Sequence, residues 1–254
     1  MNRNVSLYFE EAGRGVPLVC LHGYPLDHTI WLPLVREMRQ EARFILPDLR
    51  GHGRSPAPEG PYSMYNMAED VVRLLDRLEV DQAVVAGHSM GGYVALAFAR
   101  QFSDRLLGLA LVASHAYADP PEKRADRLKT AEEVLQNGTA QLTGMADKLT
   151  NQPALAEEMR QLILKASPQG VAGVLAGMID RQDESALLAS LHVPVVLIAG
   201  GQDQIIPLDW SRRMGAVLPP DRYFEIASAG HMPMLESTPE TAQALKTLLA
   251  LISG

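Results

Sequence analysis

Residues 83–92 read Ala83-Val84-Val85-Ala86-Gly87-His88-Ser89-Met90-Gly91-Gly92, and this stretch decides the fold class. Ala83–Ala86 makes a short apolar strand, and the residues from Gly92 to Gln101 carry a helical pattern. Between them a serine stands in a Gly-X-Ser-X-Gly frame. Chance alone would place about 0.08 such pentapeptides in a chain of this Ser and Gly content. The arrangement suits a sharp, strained turn that lifts a serine Oγ above the end of a strand. Glycines on either side let strand and helix approach without Cβ clashes. The helix N-terminus that follows favours negative charge beside the serine. The bland alternative is a glycine-rich turn that cradles phosphate.

Outward from this turn, short apolar runs alternate with helical patterns, as in a parallel sheet covered on both faces. Val16–Leu21, Arg43–Leu46, Leu107–Val112 and Val193–Ala199 read as buried strands, with Tyr223–Ile226 a weaker one. Met67, Val71, Leu74, Leu75 and Leu78 form a helical stripe, and Thr241–Ile252 closes the chain as a helix. Val5–Glu10 alternates like a strand and predicts a first hairpin with the run ending at Leu21. The expected class is α/β, with a mostly parallel central sheet flanked by helices.

The rhythm breaks between His115 and Ala186, where four helical patterns replace the strands. Leu128, Ala131 and Leu135 share one face, and Gly138 is placed to end that helix. Leu142, Met145, Ala146 and Leu149 share the next. Pro153 opens a third helix with Leu155, Met159, Leu162 and Ile163, and Pro168 a fourth with Val171, Val174, Leu175, Met178 and Ile179. The expected organisation is a core of residues 1–114 and 186–254 interrupted by a helical insertion, 115–185.

Composition narrows the function classes. With 254 residues, 47% apolar and 21% charged, the chain can bury a large core and is not disordered. Its net charge of −7 and 6% aromatic content disfavour a nucleic-acid partner. The opening MNRNVSLYFEEAGRG lacks a signal-peptide core, and no apolar run is long enough for a membrane span. The single cysteine, Cys20, forbids an internal disulfide and suits a reducing compartment. A cytoplasmic protein without nucleic-acid or membrane partners is expected.

A serine hydroxyl needs a base, and the base an orienting acid. Of seven histidines, His231 in Ala229-Gly230-His231-Met232-Pro233 follows the last strand pattern. Asp203 in Gly200-Gly201-Gln202-Asp203 follows Val193–Ala199. Singly, such residues are ordinary turn and loop residues. Together, in the order Ser89, Asp203, His231, they form a nucleophile–acid–base set. Two backbone N–H groups must face the developing oxyanion. Met90, after the serine, is one candidate, and Tyr24 in His22-Gly23-Tyr24-Pro25 is the other.

These motifs, with Asp48-Leu49-Arg50-Gly51-His52-Gly53-Arg54-Ser55 and Glu236, resemble the α/β-hydrolase fold serine hydrolases. Among these the chain looks most like small carboxylesterases and 3-oxoadipate enol-lactonases, with the insertion as their cap. The reading that follows is acylation of Ser89, with His231 as base, Asp203 as its partner, and neither metal nor organic cofactor. Rival chemistries on the same residues are a lactonase, a perhydrolase or cofactor-free haloperoxidase, and a lyase. A receptor-like module that binds ligand without turnover is the rival of another class. Serine at position 89 excludes the dehalogenase and epoxide hydrolase chemistries that need aspartate there.

Tyr24, Tyr93, Met90, Met145, Met178 and Met232 suggest a small, mostly apolar pocket for a neutral ester or lactone. An enol-lactone carrying a carboxylate would need a cation there. Arg124, Arg127 and Arg160, beside Asp126 and Glu157, read instead as solvated helix faces. Asp48–Ser55 reads as a structural loop in which Arg50 pairs a buried carboxylate. His22 and His88 read as supports of the oxyanion loop and the serine turn. His28, His115 and His192 have no metal-ligand spacing, and Cys20 reads as an inert buried thiol.

Overall fold

Seven strands form one sheet in the computed structural model, which describes residues 4–253. They are β1 (Phe9–Gly13), β2 (Val16–Leu21), β3 (Ala42–Pro47), β4 (Ala83–His88), β5 (Leu106–Val112), β6 (Val195–Gly200) and β7 (Tyr223–Ile226). Their order is β1-β3-β2-β4-β5-β6-β7, with every neighbouring pair parallel except β1–β3. The inner runs are apolar throughout because both faces are covered. Val19, Leu21 and Val85 pack in one core with helices α2 (Met64–Arg77) and α3 (Met90–Gln101). Leu18, Cys20, Val84 and Ala86 pack in a second core with α1 (Leu32–Met38) and the C-terminal helix, Thr238–Ser253.

The first hairpin does not form. β1 begins at Phe9, not Val5, and pairs antiparallel with β3. Both edges of β2 are already taken by β3 and β4. The connection through Gly13 and Gly15, both at positive φ and pressed on the Glu41–Ala42 backbone, carries the chain from β1 on the outer edge of β3 across to β2.

Between β5 and β6 lie α4 (Pro121–Asn137), α5 (Ala146–Leu149), α6 (Pro153–Lys165), α7 (Pro168–Met178) and α8 (Ser185–Ser190). Gly138 ends α4 at φ +78°, as expected. Three details differ from the sequence reading. Leu128 and Leu135 are 49% and 56% exposed, because α4 turns Ala131 and Val134 inward instead. Leu142 and Met145 lie in a 3₁₀ segment that precedes the single turn of α5. The helix α8 is an addition. α7 sits directly on core loops: a Cβ on Gly170 would lie 1.7 Å from Gly51 O, and one on Gly177 1.8 Å from Tyr62 O. No helix among the described residues is long and apolar enough to cross a membrane. Of the expected core segments, residues 1–3 and 254 lie outside the described range.

Candidate active site

Ser89 stands between β4 and α3 at φ 50°, ψ −115°, a backbone conformation that costs a non-glycine residue about 1–3 kcal/mol. Its surroundings hold it there. Its N–H donates to Val112 O at 3.0 Å, and its carbonyl accepts from Gly92 N–H and from Ser114 Oγ. The flanking glycines are required by distance. A Cβ on Gly87 would meet Gly91 O at 2.3 Å, and one on Gly91 would meet Leu21 O at 2.3 Å. A Cβ on Gly92 would run into Ser114. Met90 is the first residue of α3, so its N–H has no helical partner.

Asp203 and His231 come from loops after β6 and β7. Those loops touch so closely that a Cβ on Gly200 would lie 1.8 Å from Gly230 O. His231 Nδ1 donates to Asp203 Oδ2 at 2.8 Å, and both side chains are buried, 1% and 3% exposed. Asp203 Oδ1 accepts from the N–H groups of Ile205 and Ile206, at 2.7 and 3.0 Å. With both oxygens accepting, the carboxylate fixes which ring nitrogen of His231 carries the proton and leaves Nε2 free to accept one. Glu236 pins the histidine loop, accepting from Gly230 N–H, Met232 N–H and Thr150 Oγ1. His231 N–H itself donates to Leu149 O, so the inserted helices share in seating the loop.

His22 and His88 are held by hydrogen bonds to backbone around the serine and histidine loops. Leu49 N–H donates to His22 Nε2 at 2.9 Å, which puts the proton on Nδ1, donating to Gly23 O. His88 Nε2 donates to His231 O at 2.8 Å. Burial, reinforced by the nearby His231, pushes the His88 pKa well below its ordinary value, so His88 is neutral. In the Asp48–Ser55 loop, Asp48 accepts from His28 N–H, His28 Nδ1 and Arg54 N–H. Arg50 pairs with buried Asp70 at 2.5 Å. Asp27, His28 and Asp48 bring ligand atoms within 4.8 Å of one another. Those atoms already hydrogen-bond within the group or cap Thr29. Burial pushes the Cys20 thiol pKa up, leaving it unreactive.

Tyr24, Ser89, Met90 and His231 line one cavity of about 750 Å³. Tyr93, Met145 and Met178 also line it. Met232 does not. It is fully buried in the core that holds the C-terminal helix. The cavity is larger than the sequence suggests, and charged groups interrupt its apolar lining, since Lys123, Asp126 and Lys148 also reach it. Arg127 lines it as well, 12% exposed and paired with Asp119, so its reading as a solvated residue is overturned. Arg124 donates to Asp119 O, and Arg160 pairs with Asp147 and Glu157 at the surface. Asp119, His115 and Trp210 are cavity residues that the sequence did not reveal. They carry no local motif.

The model of the α/β hydrolase fold family matches residues 16–238. Among solved structures, a thermophilic esterase from Thermogutta terrifontis, solved with malate bound, is 37% identical with a TM-score of 0.94, covering 98% of this chain and 95% of that one. An enol-lactonase from Burkholderia xenovorans shares the fold at 24% identity and a TM-score of 0.88, covering 97% of each chain. A pimeloyl-acyl-carrier-protein methyl ester esterase of Nitrosomonas europaea is 31% identical over 92% of this chain and 96% of its own length.

Proposed function

Because this chain belongs to the α/β hydrolase fold family, whose esterases it resembles, we propose that it is a serine carboxylic-ester hydrolase working through an acyl-enzyme on Ser89. One observation carries the reading. A serine in a strained turn shares a single cavity with a histidine already oriented by a buried, doubly anchored aspartate.

Ser89 Oγ attacks the ester carbonyl while His231 Nε2 takes its proton. The Asp203 carboxylate stabilises the imidazolium. The N–H groups of Tyr24 and Met90 hold the tetrahedral oxyanion. Collapse breaks the ester C–O bond, and His231 protonates the departing alcohol. Water then gives a proton to His231 and attacks the acyl carbon. Ser89 leaves, reprotonated, and the acid is released. Residues 115–185 act as a cap over a core of 1–114 and 186–254. The substrate is a small-molecule ester, and the lone buried Cys20 fits a reducing, cytoplasmic setting.

The test is labelling with a fluorophosphonate together with turnover of 4-nitrophenyl butyrate. Ser89→Ala should lose the label and all but about one thousandth of the turnover, with its circular dichroism intact. Greater residual activity in folded protein would overturn the assignment of the nucleophile.

A further inference from the structure

One wall of the cavity is built of charge that a neutral ester leaves unmatched. Asp119, at the root of the insertion and 5% exposed, holds two guanidinium groups. Arg127 of α4 donates to it through Nε at 2.6 Å and Nη2 at 3.4 Å, and Arg181, from the α7–α8 connection, through Nη2 at 2.7 Å. Their side chains are 12% and 5% exposed. One carboxylate facing two guanidiniums leaves a positive charge over.

His115 does not change that balance. Burial and the Arg181 charge hold its pKa down at about 3, so its ring is neutral. Asp183 also feels Arg181 but is exposed and bonded to Ser185. Arg181 also donates to Tyr117 O and lies 3.8 Å over the Tyr93 ring, while its buried Nε has no partner. Arg127 is the member of the pair that lines the cavity, on whose wall Tyr24 also stands. The Tyr24 hydroxyl is buried without a partner, although Tyr24 lines the same cavity as Ser89. Lys123 and Lys148 add further positive charge at the lining, against Asp126. In a chain of net charge −7, this cavity is a local cationic exception.

We propose that Arg127, aided by the Tyr24 hydroxyl, binds a free carboxylate carried by the substrate, so that the preferred substrates are esters bearing a second, ionised carboxyl group. This rests on the serine hydrolase reading. The guanidinium presents a planar donor fork that matches a carboxylate, and partial burial strengthens the pairing. The anion removes the leftover charge, and the idle hydroxyl gains a partner.

The experiment compares kcat/KM for matched substrates. On the acyl side these are mono-4-nitrophenyl glutarate and 4-nitrophenyl pentanoate; on the alcohol side, 4-acetoxybenzoate and 4-acetoxybenzamide. In at least one pair the wild type should favour the anion by about ten-fold or more, chiefly through KM. Arg127→Gln should lower that ratio about ten-fold, while Asp119 keeps Arg181 as its partner. Arg127→Lys keeps the charge but loses the fork, and should lower the ratio by a smaller factor, which serves if the Gln variant fails to fold. No preference in either pair, or a loss shared equally by both members, would overturn the proposal.

A binding measurement separates it from the hydrolase reading. In Ser89→Ala, calorimetric titration should show binding of glutarate and not of glutaramide, and Arg127→Gln in that background should abolish it. Glutarate binding in a protein that turns over no ester would keep the anion site and sink the hydrolase. Turnover of neutral esters without glutarate binding would do the reverse.

Discussion

The loops at the end of the sheet and the helices inserted between β5 and β6 enclose the same cavity by different means. Around Ser89 and His231 the backbone itself sets the geometry: Gly87, Gly91 and Gly200 lie where a Cβ would come within 2.3 Å of a neighbouring carbonyl oxygen. In the insertion, α7 is pressed on the core at Gly170 and Gly177, but in its outer part, between α4 and α5, a Cβ on Gly138 or Gly144 would meet nothing within 4 Å. The cavity-facing part of α4 is fixed by side-chain charge, with Arg127 and Arg181 meeting on Asp119. Backbone packed to this limit cannot drift without breaking the turn, which suits groups that must stay within a fraction of an ångström of a reacting atom. Side-chain pairs can be exchanged one residue at a time, which suits a wall that selects substrates.

The sharpest way to break this comparison is at the acid. Asp203→Asn should lower kcat by about two to four orders of magnitude on every ester, because the amide can hold His231 in the wrong tautomer. Asp180→Asn and Asp209→Asn should stay within a few-fold. Steady-state kinetics on a neutral ester reads this directly. A near-normal Asp203→Asn enzyme would place the acid elsewhere and dissolve the rigid side of the comparison.

Next in size is a pair of glycine substitutions. In Gly91→Ala the new Cβ lies 2.3 Å from Leu21 O and 2.7 Å from His22 O, both backbone atoms. Neither can move without displacing β2, so a loss of about 3 kcal/mol or more in urea unfolding is expected. Gly144→Ala enters open space at an ordinary φ. It should be neutral or stabilise by up to about 1 kcal/mol through reduced entropy of the unfolded chain. Equal effects at the two sites would show that the outer part of the insertion is as tightly constrained as the turn.

The same contrast explains what could be read in advance. The serine turn was legible because its constraint is local: strand, glycine, serine, glycine and helix lie within twenty residues. Asp203 and His231 were legible because each follows a strand run and a glycine that the touching of their loops requires. The partner of β1 was not, since it depends on β2 having both edges occupied, a property of the whole sheet. The buried face of α4 was not legible either. Leu128 and Leu135 gave the stronger apolar signal, but packing against α7 turned Ala131 and Val134 inward. Met232 was placed in the cavity by its nearness to His231, whereas its side chain turns into the core. Arg127 was hidden because its partner Asp119 lies before the helix and Arg181 lies far along the chain.

The smallest effect per residue is a pH dependence, and it also divides the two regions. Burial lowers the pKa of His22, His52, His88 and His115, to about 3 for His52 and His115, so the fold holds all four rings neutral. Below the unfolded-state value of about 6.5, the unfolded chain binds protons that the folded chain refuses, and stability falls as pH drops. Each ring contributes up to about 1.4 kcal/mol per pH unit. His28 opposes this: although burial disfavours its charge, the Asp48 hydrogen bond and charge hold its pKa above the ordinary value. Its contribution is therefore full below about 6.5 and is lost as pH rises through the raised value. Asp48 and Asp119 act only at lower pH, because the groups donating to them outweigh burial and hold their pKa values below the ordinary carboxylate value. Urea midpoints should thus decline between pH 6.5 and 5, and His52→Leu should flatten the decline by about one proton. Helices α4 to α8 contain no histidine, so amide exchange at pH 5 should lose protection in the loops at 22–26 and 49–55 before it does in α6. Early opening of α6, or a stability unchanged across that range, would mean that the buried rings do not carry the acid sensitivity of the core.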